Sequence, residues 1–438
     1  MNFSDCIKIS GNAKFSNDNN YLAIQLHKSI IIYEKKKLKK IYEISFPNDI
    51  LFFEWSPDSS LLLIKEKNSS IVQIRNLDNT EWEGRIIDEI NGIKYATWFN
   101  NSKYLITISD SFLKMNFYSL SSKIILTIKE IIFNDERCIC YSSSKNFFAI
   151  PIVLLKEGDY LQIYKSENFH LEQFFPLNTY KIKKVMFVNH DLNILIWDRG
   201  IGENLILIYS LCGKLIKEIK PCFISLEILS IKQSFNQEFL SIGTKEESIK
   251  IYNIKKWDLK EISFDNYKGN AKYIYKEEED SNYENNISKN KKRKKTKIIN
   301  LRNYENINLY KINNSGVKKI EWNFNSKYIA FIDESHPKIL FIWKIGFEIN
   351  LNSILIFLHN IKDFKWSPSN NQLIILTEFP YYYIFSTLNG LNIGNHILDF
   401  IPYFIKWDYE GYECLIFDKN KNNLIVIFPD EKLFLSSK

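Results

Sequence analysis

The densest chemical feature of this sequence is a run of basic side chains in its second half. Seven of nine consecutive residues are positively charged: Lys289, Lys291, Lys292, Arg293, Lys294, Lys295 and Lys297. Clustered Lys and Arg side chains pair with phosphates or with acidic protein surfaces. The run is therefore consistent with nuclear import, nucleic-acid binding or contact with acidic tubulin, but a solvated low-complexity loop is the favoured interpretation.

Side chains that can bind a metal or catalyse a reaction are scattered along the chain. The histidines are His27, His170, His190, His336, His359 and His396, and none belongs to a metal-binding motif. Gly200-Ile201-Gly202 lacks the third glycine of a dinucleotide fingerprint, and Gly213-Lys214 lacks the upstream glycine of a phosphate loop. The sequence therefore predicts no metal, no cofactor and no catalytic residue, and the protein is not expected to be an enzyme.

Composition limits the classes of partner. The net charge of +7 equals the charge of the seven clustered basic residues, so the rest of the chain is neutral and a broad nucleic-acid surface is not expected. The apolar runs are shorter than the ~20 residues of a membrane span, and the N-terminus lacks a signal segment. The six cysteines contain no Cys-x-x-Cys pair, which favours reduced thiols and a cytoplasmic protein.

An aromatic residue followed by a polar turn recurs about every forty residues. Phe53-Glu54-Trp55-Ser56-Pro57 returns in the second half as Phe364-Lys365-Trp366-Ser367-Pro368. Alignment on the aromatic anchor gives nine units, whose anchors are Phe15, Trp55, Trp98, Tyr141, Phe187, a weak copy at Ser234-Phe235, Trp322, Trp366 and Trp407.

Each unit is expected to form one blade of a β-propeller. Its apolar runs, such as residues 21–24, 71–74 and 328–331, are short and rich in Ile, Tyr and Phe, which favours strands. Four such strands make a blade, so the predicted fold is all-β with about nine four-stranded units. Large rings fill the space between blades, so the anchors and Tyr381-Tyr382-Tyr383 are predicted to lie in the core.

One insertion interrupts the repeat. Units one to six occupy residues 1–264, units seven to nine occupy residues 309–438, and the charged segment 265–308 between them is predicted to be disordered. Blade strands are considered at 273–275 and 297–301. Nine units fit either one large ring or two joined rings. Segments 6–9 and 432–435 are predicted to share a closing blade, which would remove an exposed sheet edge.

Several motifs occur in a specific order along the chain. They include Met1-Asn2-Phe3-Ser4-Asp5, Glu54-Trp55-Ser56, Val72-Gln73-Ile74, Ile196-Trp197-Asp198 and Gly213-Lys214-Leu215. This series resembles the WD-repeat protein of centrosomes and spindle poles, the WD-repeat protein eight family, over essentially the full chain. The Gly-His pairs of typical WD repeats are absent, and Trp-Asp occurs only at 197–198, 257–258 and 407–408. Their absence predicts weaker polar networks within the blades.

The resemblance implies a non-enzymatic adaptor of the microtubule-organising centre. Members of that family bind a coiled-coil microtubule-anchoring protein and support spindle and basal-body organisation, with a minus-end kinesin as a further candidate partner. The implied location is the cytoplasmic cytoskeleton at the centrosome or spindle pole, where microtubules are contacted indirectly. The resemblance supplies no residue-level binding motif, so no partner-binding residue is carried over.

Two other functions remain open from the sequence. An RNA- or ribosome-associated propeller, similar to the large translation-initiation propellers, would use the basic cluster to contact phosphates. A phosphoinositide-binding propeller would need paired arginines, whereas Arg75, Arg85 and Arg199 each stand alone.

Overall fold

A computed structural model describes residues 2–79, 81–111, 114–121, 123–131, 139–154, 157–200, 203–222, 227–245, 248–263, 271–279, 296–301, 316–346, 348–393, 400–418 and 423–428. These residues form strands and turns, and none of them lies in a helix. It follows that the described part holds no helical segment of the length and hydropathy that crossing a bilayer requires. The chain divides into an N-terminal unit, Lys8–Ser225, and a C-terminal unit, Met1–Ile7 with Leu226–Lys438.

The described part of the N-terminal unit contains five antiparallel four-stranded sheets, blades 1 to 5. Two short strands come first in the chain: β1 (Asn2–Phe3) and β2 (Ile7–Lys8). The blades are, in chain order, β3 (Ala13–Phe15), β4 (Tyr21–Gln25), β5 (Ser29–Glu34) and β6 (Lys39–Ser45); β7 (Ile50–Trp55), β8 (Leu61–Glu66), β9 (Ile71–Asn76) and β10 (Glu83–Ile87); β11 (Tyr95–Trp98), β12 (Tyr104–Ile108), β13 (Lys114–Ser119) and β14 (Ile124–Lys129); β15 (Cys140–Tyr141), β16 (Phe147–Leu154), β17 (Gly158–Lys165) and β18 (Leu171–Leu177); and β19 (Ile182–Val188), β20 (Asn193–Arg199), β21 (Asn204–Ser210) and β22 (Leu215–Ile219).

The described part of the C-terminal unit contains four further sheets, blades 6 to 9. Their strands are β23 (Ile228–Gln233), β24 (Phe239–Thr244), β25 (Ser248–Asn253) and β26 (Leu259–Ser263); β27 (Tyr273–Glu279), β28 (Thr296–Leu301), β29 (Val317–Trp322), β30 (Tyr328–Asp333), β31 (Ile339–Lys344) and β32 (Asn350–Ile356); β33 (Ile361–Trp366), β34 (Gln372–Thr377), β35 (Tyr382–Ser386) and β36 (Gly390–Ile393); and β37 (Pro402–Trp407), β38 (Cys414–Asp418) and β39 (Asn423–Phe428). β1 pairs with β39 and completes blade 9.

Nine blade-type sheets confirm the predicted fold class. Tyr381, Tyr382 and Tyr383 are buried, as predicted for a core segment. A closing contribution from the N-terminus is also present: β2 (Ile7–Lys8), within the predicted segment 6–9, pairs with β39, and so does β1 at residues 2–3. The predicted C-terminal partner, 432–435, lies outside the described residues.

Two of the tryptophan anchors, Trp55 and Trp407, connect the first strands of adjacent blades. The indole N–H of Trp55 donates to the Lys14 carbonyl at 3.1 Å, and that of Trp407 donates to the Lys365 carbonyl at 3.1 Å. In both cases the acceptor belongs to the residue before the anchor of the preceding blade. A tryptophan at this position therefore adds a hydrogen bond that the rings of Phe15 or Phe187 cannot supply.

We expect Trp55→Phe to lower the free energy of unfolding by about 1 kcal/mol more than Trp366→Phe does. Both side chains are buried, but the Trp366 indole N–H finds no acceptor among the described residues. Both variants lose ring volume, so the difference between them isolates the bond to Lys14. Urea unfolding of the two variants measures it, and equal midpoints would show that the bond contributes nothing.

Serine hydroxyls organise the turns after the first strands. Each accepts the backbone N–H of the residue five positions later, at 2.9–3.0 Å: Ser16 from Tyr21, Ser56 from Leu61, Ser142 from Phe147 and Ser234 from Phe239. Neighbouring turns also bond to each other, since the Asp18 N–H donates to Ser59 Oγ at 3.0 Å and the Asn236 N–H to Ser326 Oγ at 2.9 Å. The chain therefore has an ordered polar network at its turns although Gly-His pairs are absent.

The same serine pattern corrects one anchor. Ser234 opens its turn as Ser16 and Ser56 do, so the position before it, Gln233, is the anchor of the sixth unit. Phe235 lies in the turn and is 63% exposed. The predicted anchor at Ser234-Phe235 is therefore wrong, because the strand ends at Gln233.

Two strands within the predicted insertion extend blade 7 to six strands. β27 pairs in parallel with β32, and β28 pairs with β27 in antiparallel fashion. The considered strands at 273–275 and 297–301 are confirmed, and disorder over 265–308 is wrong for these two segments. They are ordered because their apolar side chains are covered: Ile274 enters the core of blade 7, while Tyr275 and Ile298 pack on that of blade 8. Residues 264–270, 280–295 and 302–315 lie outside the described residues.

A glycine permits the close approach of Tyr275 to blade 8. Gly390 has φ +74°, and a Cβ atom built on it would lie 2.6 Å from the Tyr275 hydroxyl. A larger residue at 390 would be strained and would also displace this ring.

Buried carboxylates fix the loops that precede several first strands. They stand eleven residues after the anchor: Glu66 follows Trp55, Asp198 follows Phe187 and Asp418 follows Trp407. Their oxygens accept backbone N–H groups from Asn48 at 3.0 Å, from Lys181 at 2.7 Å and from Ile401 at 3.3 Å. Blade 8 has Thr377 at this position and takes its carboxylate from Glu277 of β27, whose Oε2 accepts the Leu358 N–H at 3.0 Å.

Candidate functional site

The predicted basic patch falls almost entirely outside the described residues. Only Lys297 is placed: it is exposed on β28, opposite Glu278 of β27. The other members, Lys289, Lys291, Lys292, Arg293, Lys294 and Lys295, lie outside the described residues, so their role as a partner-binding patch stays a prediction.

The described charges concentrate instead on the first strands of the C-terminal unit. β23, β29, β33 and β37 lie side by side in that order. Each of these four strands has a register shift near its start. Such bulges change the direction in which the neighbouring side chains point. Eight charged residues lie on these strands, and Lys318 and Lys362 pair with Glu334 and Glu378 of their own blades. The other six form the first-strand cluster: Lys232, Lys319, Glu321, Asp363, Lys365 and Lys406.

Asp363 is the most connected member of the cluster. Its Oδ1 forms an ion pair with the Lys319 ammonium and accepts the Phe364 N–H at 3.0 Å, while its Oδ2 accepts the Ile405 N–H at 2.8 Å. One buried carboxylate thereby connects blades 7, 8 and 9. The Lys319 ammonium also lies 4.6 Å from the centroid of the Phe364 ring, a cation–π contact.

Glu321, the second carboxylate of the first-strand cluster, also pairs with a lysine. Glu321 Oε1 lies 3.6 Å from Lys232 Nζ. Lys365 takes part in none of the ion pairs found among the described residues, and its ammonium lies 5.5 Å from the Phe404 ring centroid. Burial lowers the pKa of Lys365, an effect that the Glu321 and Asp363 charges oppose.

Lys406 repeats this arrangement one strand further on. Its ammonium lies 5.5 Å from the Phe417 ring centroid, and the Phe404 and Phe417 rings are 5.9 Å apart. We call Lys365, Phe404, Lys406 and Phe417 the lysine–phenylalanine patch. It joins two cations to aromatic surface, and the Phe404 ring is 40% exposed.

The N-terminal unit has a related pair of residues with opposite charges, Lys14 and Glu54. Burial lowers the pKa of Lys14 and raises that of Glu54, and each charge partly offsets the shift of the other. Lys14 and Glu54 precede the anchors of blades 1 and 2, as Lys365 and Lys406 precede those of blades 8 and 9. The position before the anchor thus carries charge in both units, but only the C-terminal unit has two neighbouring lysines there.

One serine–histidine–aspartate group in blade 7 resembles catalytic machinery only in composition. The Ser335 hydroxyl lies 2.6 Å from His336 Nδ1, and Asp333 Oδ2 lies 3.1 Å from the same nitrogen and also accepts from Ser335. A catalytic triad needs the serine and the acid on opposite ring nitrogens, so that a proton can pass through the ring. Both contacts here use Nδ1, which is the geometry of a local turn.

Metal-binding groups are likewise not assembled in the described part of the chain. No three His, Cys, Asp or Glu side chains meet there in a way that would hold an ion.

Comparison with known proteins finds one similar sequence and one similar fold to report. No family model matches the chain. The mouse WD repeat-containing protein WRAP73 is 22% identical over 415 residues, which are 90% of this chain and 88% of that protein. The crystal structure of the C-terminal WD40 domain of Sif2 superposes with a TM-score of 0.51 and 10% identity, covering 98% of this chain and 99% of that one.

The chain has the WD40-type β-propeller fold. Its repeats keep the aromatic anchor and, at Asp198 and Asp408, the aspartate of the Trp-Asp pair. Asp198 fixes the loop before blade 5, and Asp408 Oδ1 accepts the Tyr412 and Glu413 N–H groups at 2.9 and 3.1 Å. These aspartates therefore have structural roles.

Sequence reasoning missed the first-strand cluster, although a signal for it exists. With Gln233 as the sixth anchor, the residue before the anchor is charged in six of the nine units: Lys14, Glu54, Lys232, Glu321, Lys365 and Lys406. A charge at a fixed point of a repeat marks a position that the fold leaves partly exposed. The pairing among these charges depends on which blades are neighbours, and the repeat alone does not give it.

Proposed function

We propose that this protein is a non-enzymatic WD-repeat scaffold of the microtubule-organising centre, which anchors microtubule minus ends through protein partners. The observation that carries the proposal is the similarity to a WD repeat-containing protein along 90% of the chain. It is joined by the ordered motifs that resemble the centrosome and spindle-pole family. The proposed partners are a coiled-coil microtubule-anchoring protein and a minus-end kinesin.

The blades supply what a scaffold needs. Their turns are cross-linked by hydrogen bonds between neighbouring blades, so side chains on them are held at fixed separations. Pre-ordered surfaces lose little conformational entropy when a partner binds. The motifs behind the resemblance have structural roles, since Trp55 is an anchor and Asp198 fixes a loop. Partner binding is therefore assigned to the exposed parts of the blades.

Imaging and affinity purification of the tagged protein in dividing cells test this function. The proposal expects discrete foci at spindle poles and recovery of a coiled-coil protein with the tagged chain. A matched variant that lacks residues 281–295 should keep the same location, because the blades remain. A diffuse cytoplasmic signal with recovery of ribosomal proteins would overturn the proposal in favour of an RNA-associated role.

A further inference from the structure

The fourth strands of the blades differ in how their edges are protected against pairing with another strand. An open edge offers unpaired N–H and C=O groups, and charged side chains or proline on it discourage pairing. Cross-strand pairing places one residue of each fourth strand at the same point of its blade, which we call the edge position. In four blades this residue is charged: Glu43 of β6, Arg85 of β10, Glu218 of β22 and Glu261 of β26. In four others it is uncharged: Thr127 of β14, Phe174 of β18, Ile354 of β32 and Ile393 of β36.

Inserted strands lie along the two uncharged edges of the C-terminal unit. β27 pairs in parallel with β32, where Ile274 lies opposite Ile354, and β28 lies beside β36. In the N-terminal unit, β18 contains Pro176, and the Tyr160 ring stacks on Phe174 at 4.9 Å.

β14 differs from these strands because it has neither kind of protection. Its residues 124–128 read Ile-Ile-Leu-Thr-Ile, and among the described residues β14 pairs only with β13. Thr127 is exposed, and so are Ile124 and Ile125. The other uncharged edges of this chain therefore suggest that the edge of β14 is kept for a strand from outside it.

We propose that the edge of β14 binds an extended segment of a partner protein as an added parallel strand, in the way that β32 binds β27. Main-chain hydrogen bonds would supply the affinity of such an added strand. The segment would place carboxylates beside Lys129. The partner would be one of those served by the proposed scaffold, and the inference rests on that function.

The charges at the end of β14 favour an acidic segment. Lys129 lies directly opposite Lys114 of β13, and like charges at such a pair repel each other. In blade 7 the added strand passes Ile356, which corresponds to Lys129, and continues as Glu277-Glu278-Glu279. A second copy of β14 would bring no carboxylate, because residues 123–129 contain none. An acidic partner segment therefore fits this edge better than a second copy does.

Fluorescence anisotropy on the purified full chain tests the edge with a labelled peptide. The peptide copies residues 272–279, with glutamate in place of Lys276, and its control is methylated on the amide nitrogens of residues 274 and 275. Successive amides of a strand point to opposite sides, so one of these two N–H groups faces β14 in the bound peptide. The unmethylated peptide should bind at least about tenfold more tightly. Equal binding by the two peptides would overturn the proposal.

Thr127→Glu gives β14 the edge residue of β6, β22 and β26, so the fold should accept it. It should weaken binding of the acidic peptide by about fivefold, whereas Thr127→Gln should change binding less than about twofold. Both variants lose the bond from Thr127 to Asn116, at 2.8 Å, so their difference isolates the charge. Unchanged binding by Thr127→Glu would show that the peptide binds elsewhere and overturn the proposal.

Lys129→Glu and Lys123→Glu test the direction of the added strand. Lys129→Glu should weaken binding by about tenfold, because it places a carboxylate opposite the glutamate that replaces Lys276. Lys123→Glu makes the same charge change at the opposite end of β14 and should change binding less than about twofold. Both lysines are exposed, so both variants should fold. Equal losses would show general charge attraction and overturn the proposal.

Three further outcomes decide the occupant and separate the inference from the proposed function. A dimer of the full chain in light scattering that Thr127→Glu dissociates would assign the edge to a second copy and overturn the proposal. Absence of peptide binding by a protein that still forms foci at spindle poles would refute the added strand alone. Diffuse localisation with intact, Lys129-dependent peptide binding would refute the spindle-pole role alone.

Discussion

Replacing Asp363 with alanine should lower the free energy of unfolding by about 3 kcal/mol. The change leaves the Lys319 ammonium without its counter-charge and the Ile405 N–H without an acceptor. Breaking a buried ion pair costs about 3–5 kcal/mol, and partial exposure of Lys319 places the expected value at the lower end. Urea unfolding followed by tryptophan fluorescence measures the change.

The partner variants distinguish the ion pair from the backbone bonds. Lys319→Met removes only the cation, and the double variant of Lys319→Met with Asp363→Ala should be less destabilised than the sum of the single changes, because the charges are removed together. Glu410→Ala, at an exposed turn position of blade 9, should change stability by less than about 0.5 kcal/mol. An Asp363→Ala protein as stable as the wild type would show that this carboxylate does not hold blades 7 to 9 together.

The repeat made the blades predictable because the same local sequence pattern occurs in each one. An aromatic anchor, a serine-capped turn and short runs of Ile, Tyr and Phe define the first two strands of a unit without reference to the rest of the chain. Trp55 and Trp366 accordingly end first strands as expected, and Tyr381-Tyr382-Tyr383 is buried. Phe235 was misassigned because aromatic character was weighed above the serine that opens the turn.

Contacts between distant segments were not predictable in the same way. Glu277 belongs to an acidic run of ordinary solvated appearance, yet it is 1% exposed and bonds Tyr383, 106 positions away. Its burial depends on the parallel pairing of β27 with β32 and on the threonine at 377 in blade 8. Neither condition can be read from the charge pattern of the insertion.

The candidate site, too, was predictable from the sequence only in part. Charge before the anchor is visible in the repeat, so Lys365 and Lys406 could be identified as partly exposed positions on first strands. The commitment of Asp363 to Lys319 and Ile405 depends on the order of blades 7, 8 and 9. The pairing of charges in the first-strand cluster is therefore a property of the assembled sheets.

Glu277→Ala should destabilise the C-terminal unit by about 3 kcal/mol and detach β27 from β32. The substitution removes the acceptor of the Tyr383 hydroxyl, at 2.6 Å, and of the Leu358 N–H, at 3.0 Å. Each buried donor left unsatisfied costs about 1–3 kcal/mol. Hydrogen exchange should show faster exchange in residues 273–279 and 353–356, with little change in blades 1 to 5.

Glu278→Ala is the matched control, since its side chain is partly exposed on the same strand and, among the described residues, pairs only with Lys276, at 3.2 Å. It should change stability by less than about 0.5 kcal/mol. Tyr383→Phe removes one of the two donors and should cost less than Glu277→Ala, because the carboxylate keeps its bond to Leu358. If Glu277→Ala and Glu278→Ala lowered stability by equally small amounts, the Glu277 carboxylate would not take the place of the acid that blade 8 lacks at Thr377. β27 and β28 would then be held by their apolar side chains alone, with Tyr275 over Gly390 as the principal contact.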